Sequence, residues 1–129
     1  MATWAEVQEA VRARFQLDAD EAHEFALTVP RQSAGTREQR VMVRHYVGWE
    51  REMIELRSAF GELGEIDLET VLREVLLLPI GGIALHGRFL VVVHRASLRE
   101  LSLDTVLFLI ERVAMVGDLL EEQRGEDRF

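Results

Sequence analysis

A chain of 129 residues with 48% hydrophobic and 29% charged positions has ordinary globular composition, at a length that suits one domain spanning residues 1–129. The absence of cysteine excludes thiolate nucleophiles, zinc–thiolate sites, iron–sulfur clusters and disulfides. Asp and Glu number 23 against 15 Lys and Arg, all of them Arg, so the net charge of −8 repels a nucleic-acid backbone unless a basic stripe overcomes it, and the sequence carries no such stripe.

Thr3 and Glu6 have capping-box spacing, and Trp4, Val7, Val11 and Phe15 then recur on one face, which predicts a helix from about Thr3 to Gln16. From His23 to Val29 the pattern alternates, with Phe25, Leu27 and Val29 opposite Glu24, Ala26 and Thr28, as in a half-buried strand. Pro30 ends it, and Arg31 to Glu38 reads as the loop of a wide hairpin. Val41, Val43 and Val47 alternate with Arg40, Met42, Arg44 and Tyr46; after Gly48-Trp49-Glu50, Ile54, Leu56, Ser58 and Phe60 alternate again. These are two further strands of an antiparallel meander.

Asp67 is placed to cap a second helix with Leu68, Val71, Leu72 and Val75 on one face, and Pro79 is expected to stop it. Ile80 to Leu85 and Arg88 to His94 form a second hairpin about His86-Gly87. Its last strand is apolar on both faces and should be covered on both. Ser102 caps a closing helix from Leu103 to about Gln123, ended near Gly125. The fold class is therefore α+β, in the order α-β-β-β-α-β-β-α, with an antiparallel five-stranded sheet packed with helices.

On the closing helix, Leu103, Val106, Leu107, Ile110, Val113 and Ala114 make a stripe that docks on a sheet. Phe108, Met115 and Leu119 fall roughly opposite, with Leu109, Val116 and Leu120 on a flank, so one sheet cannot cover everything. A neighbouring helix, a second copy or a different protein must cover the rest. The preferred account is a homodimer through Phe108, Met115 and Leu119, with Leu90 and Val92 of the two-sided strand adding area.

No residue cluster amounts to a catalytic signature. His23, His45, His86 and His94 lack the spacing of a helix-borne metal site, and no carboxylate stands ready to complete one. Ser102 is explained by capping and Ser33 by loop composition; Ser58 is unassigned, and Ser97 with His94 is a conceivable pair without a nucleophile elbow. Pro79-Ile80-Gly81-Gly82 precedes a strand rather than a helix and lacks a following Lys, so it does not read as a phosphate loop. No catalytic residue, metal or cofactor is expected. The first fifteen residues lack the apolar stretch of a secretory signal, and Val75–Ile80 and Phe89–Val93 are too short to span a bilayer, so a cytoplasmic protein with no membrane role is expected.

The segment from Leu76 to Glu122, LLLPIGGIALHGRFLVVVHRASLRELSLDTVLFLIERVAMVGDLLEE, resembles the loop, hairpin and closing helix of the type III secretion chaperone-like fold. That fold is shared by secretion chaperones and the YbjN-type bacterial sensory-transduction-regulator family; the rest of the chain matches by element order alone. The resemblance implies a homodimeric, non-enzymatic bacterial protein that holds a client polypeptide. Met42 and Tyr46, on the strand face opposite Val41 and Val43, are either client contacts or packing under a helix. Trp49 at the hairpin tip is an exposed aromatic contact or a lid on the hairpin. The alternative function is a regulatory domain that binds a small ligand between sheet and helix.

Overall fold

The computed structural model describes residues 2–30 and 38–128, with side chains as far as residue 121. Helix α1 (Trp4–Arg14) is followed by strands β1 (Leu17–Asp20), β2 (Glu24–Pro30), β3 (Glu38–Gly48) and β4 (Arg51–Glu62). Helix α2 (Leu68–Val75), strands β5 (Gly82–His86) and β6 (Phe89–Ser97), a 3-10 turn at Leu98–Glu100 and helix α3 (Leu103–Arg128) complete the chain. The expected hairpin loop at 31–37 lies outside the described residues.

All pairings are antiparallel, and the sheet has six strands in the order β1-β2-β3-β4-β6-β5 rather than the expected five. The strand that sequence reading missed is β1, Leu-Asp-Ala-Asp, whose alternation runs for only four residues and includes two aspartates, a type disfavoured in strands. Its partners make it a strand. Ala19 and Asp20 pair with Ala26 and Phe25, Thr28 donates its hydroxyl to Asp18 at 2.6 Å, and the Arg12 guanidinium forks onto Asp20 at 2.7 and 3.0 Å.

Local chemistry sets most other boundaries. The Thr3 capping box forms as expected, Asp67 accepts from the Thr70 amide, and Ser102 accepts from the Thr105 amide at 3.1 Å. Trp49 and Glu50, with φ of 52° and 63°, make a two-residue turn between β3 and β4 whose left-handed backbone conformation matches the right-handed twist of the flanking strands. Two ends differ from expectation. Helix α2 stops at Val75, before Pro79, because residues 76–78 close tighter turns onto Glu74 and Val75. Helix α3 runs through Gly125 to Arg128.

One core lies between the sheet and the helices. Phe25, Leu27, Val41, Val43, Ile54 and Leu56 from the sheet meet Val106, Ile110, Val113, Ala114 and Leu120 of α3. Apart from Ala114, each such side chain contributes about 1.5–3 kcal/mol when fully buried. Helix α1 adds Val7, Val11 and Trp4, whose indole N–H donates to the Ala22 carbonyl at 2.7 Å while its ring stacks on Phe25 and His45. Beneath α3, Gln39 donates to the Ser58 hydroxyl and the Ala59 carbonyl, and Ser58 donates to the Arg40 carbonyl at 2.6 Å. Ser58 is thus a buried structural hydroxyl.

Candidate protein-binding surfaces

Helix α2 carries its apolar residues at helical spacing, yet the core takes in Val71 and leaves most of the rest outside. Leu72 is half exposed, and Leu76 and Leu77, just beyond the helix, are 85% and 82% exposed. These leucines stand beside β5, a five-residue strand at one edge of the sheet, where Leu85 is also exposed. Because α2 packs beside β5, these exposed apolar residues and a strand at the sheet edge share one corner of the molecule, the kind of surface that other polypeptides cover. Periodicity showed that α2 has an apolar face; it carries no information on what covers that face.

The residues expected to form a dimer seam fall into two groups. Leu90 and Val92 are buried in the core at 3% and 1% exposure, because the sheet face they occupy is the one covered by helices, so they offer no surface to another chain. Phe108 and Leu119 are partly exposed on the outer side of α3, with Met115 between them. Arg112 covers part of this stripe: its guanidinium lies 4.9 Å from the Phe108 ring centre and donates to the Met115 sulfur. Leu109, Val116 and Leu120, the flank that seemed to need a partner, are covered within the chain.

The opposite face of the sheet carries Met42 and Tyr46, and no described helix packs over it. The expected alternative, packing under a helix, is not what the fold provides for them. Tyr46 lies beneath Arg44, whose guanidinium is 4.4 Å from its ring centre. At the end of the same hairpin Trp49 is 98% exposed, so it is not a lid.

At the centre of this face stands Glu55, only 3% exposed. Its carboxylate accepts from Arg95 Nε at 2.9 Å, from Arg44 at 3.3 Å and from Arg57 at 3.3 Å. Burial pushes the Glu55 carboxyl pKa up, but the hydrogen bonds and charges of Arg44 and Arg95 outweigh burial and hold it below the ordinary value. Sequence reading missed this cluster because its members lie on three strands far apart in the chain. Cross-strand register, with Arg44 and Arg95 on either side of Glu55, is what assembles it.

The chemistry considered from sequence does not assemble. His94 and Ser97, three residues apart on β6, project to opposite faces of the sheet. His23 and His45 come together, their Nδ1 atoms 3.2 Å apart, with His45 Nε2 2.7 Å from Glu52. Their ring centres are 5.4 Å apart, so the two nitrogens meet head-on, as one N–H···N bond requires. A chelated ion would instead need converging nitrogens about 2.0–2.1 Å from the metal. Among the described residues no group of three or more side chains could hold a metal ion, and no helix is long and apolar enough to cross a membrane.

No protein-family model matches the chain, and no curated protein matches it. Among solved structures, a chain of the structure described as the HopA1-SchA chaperone-effector complex is similar, with a TM-score of 0.62 over 90% of each chain at 14% sequence identity. At that identity the likeness establishes the architecture: this chain has the α+β fold, helices on one face of an antiparallel sheet, found in a chaperone-effector complex.

Proposed function

We propose that this chain is a non-enzymatic protein-binding module of the chaperone or adaptor kind, which acts as a homodimer in the bacterial cytoplasm and holds a client polypeptide in extended form. The observation that carries this reading is the apolar corner of Leu72, Leu76, Leu77 and Leu85 beside the β5 edge, where Leu76 and Leu77 are among the most exposed apolar side chains of the described residues. The shared fold with a chain of a chaperone-effector complex supports it. The corner is the dimer seam; the outer stripe of Phe108, Met115 and Leu119 is the weaker candidate, because Arg112 already lies over part of it. Client contacts are assigned to Met42, Tyr46 and Trp49 on the open sheet face and its hairpin tip.

Ligand binding between sheet and helix, as a regulatory domain would require, is disfavoured by a filled interlayer, where Leu27, Val41, Ile54, Leu56, Ile110 and Val113 have no exposed surface. The test is selection from a displayed library of random polypeptide segments on the immobilised chain. Convergent sequences that compete with one another for the free chain are expected. Recovery of no sequence above the bare support contradicts the proposal.

A further inference from the structure

We propose that the open sheet face selects a client segment in which acidic side chains flank a large apolar one; this rests on the polypeptide-binding role above and names the chemistry of the client. The guanidiniums of Arg44, Arg57 and Arg95 gather from three adjacent strands around Glu55, Glu24 lies 3.8 Å from Arg57, and Arg40 stands on the same face of β3. Four guanidiniums are thus gathered on one face of a chain of net charge −8, while Glu38 and Asp18 share that face toward its β1 side. Glu55 contacts three of the four arginines and fixes the positions of their planar heads.

Binding capacity is left over. Arg40 is exposed and has no ion-pair partner among the described residues, whereas the Nε of Arg44, also without an acceptor among them, is buried out of a client's reach. Beside them lies a depression of about 350 Å³ with Met42, Ala59, Phe89 and Val91 in its lining and Arg40 and Arg57 at its wall. An apolar side chain fits that depression while neighbouring carboxylates reach the guanidiniums, which bind carboxylates in forked, charge-assisted pairs. A second copy laid face to face would oppose the two arginine clusters, so charge complementarity favours an acidic segment.

The test sets two selections side by side from one displayed library of random segments, on the wild type and on Arg40→Glu. Because Arg40 is exposed and unpaired, the variant keeps the fold, which its circular dichroism melt verifies. Segments from the wild type are expected to be rich in Asp and Glu beside a large apolar residue, and to be lost with Arg40→Glu. A recovered segment remade with Asn and Gln for its acids is expected to bind at least about tenfold more weakly, and raising NaCl should weaken the acidic form.

Segments without acidic excess, or the same segments from both proteins, overturn the selectivity and leave polypeptide binding standing. Binding of a single-stranded oligonucleotide with no acidic segment recovered also overturns it, since the arginines would then serve phosphates. Recovery of no segment by either protein overturns this inference together with the role on which it rests.

Discussion

Glu55 shows how a carboxylate is kept charged inside a sheet. Its desolvation is offset by the hydrogen bonds and charges of Arg44 and Arg95 on the two neighbouring strands, and the net effect is a lowered pKa. A carboxyl with a lowered folded-state pKa stabilises the fold above its unfolded-state pKa, and that contribution is lost as pH falls through the folded value. Glu55→Gln leaves the guanidiniums without their counter-charge and is expected to cost about 2 kcal/mol at neutral pH. Urea unfolding should show the gap between wild type and variant closing in acid; a gap that is constant with pH contradicts this account of the cluster.

Gly117 is the second residue whose role depends on the fold. A Cβ there would sit 2.9 Å from both Gln39 Nε2 and Ser58 Oγ, and those atoms are held by hydrogen bonds to each other and to the backbone. Alanine gains about 1 kcal/mol of helix propensity over glycine, but overpacking costs about 1–3 kcal/mol, and here the neighbours are fixed. Gly117→Ala is therefore expected to lower the melting temperature, and a rise would show that the polar pair yields easily. Neither residue was legible in the sequence. A lone Glu in a strand and a lone Gly in a helix acquire meaning only when register and packing bring distant partners to them.

At the scale of elements, local chemistry was the legible part. The capping box at Thr3, the caps at Asp67 and Ser102 and the alternation in β2, β3 and β4 all depend on neighbours a few residues away, and all form, except that Val47 near the hairpin tip is 72% exposed while Val41 and Val43 are buried. Thr3→Ala is expected to destabilise the protein by about 1 kcal/mol in chemical denaturation, the worth of one good N-cap. Strand β1 was illegible because its stability comes from the β2 ladder and from Arg12 and Thr28 rather than from its own four residues. Helix α2 was half legible: its apolar face was read correctly, but only Val71 is fully buried. Val71→Asp should therefore unfold the α2 region and lower stability by several kcal/mol, about the cost of an unpaired charge in a core. Leu76→Glu, at an exposed position, should leave the circular dichroism spectrum unchanged.

At the scale of the whole molecule, three described helices cover one sheet face and leave the other face and the α2–β5 corner uncovered. The α2–β5 corner is apolar and carries a free strand edge, features suited to a second copy. The open sheet face mixes arginine with apolar side chains, features suited to a client. The closing helix has visibly more apolar residues than one sheet covers, and α1 and α2 cannot be seen to share that work until the layers are known. Phe108→Glu is accordingly expected to remain dimeric.

The measurement that tests this most directly is size-exclusion chromatography with light scattering on the wild type and Leu76→Glu, each at two concentrations. A wild-type mass near twice 14.8 kDa at both concentrations, with Leu76→Glu near one chain, is the predicted result. A wild type that runs as one chain at both concentrations, or a Leu76→Glu variant that stays dimeric, would contradict the seam.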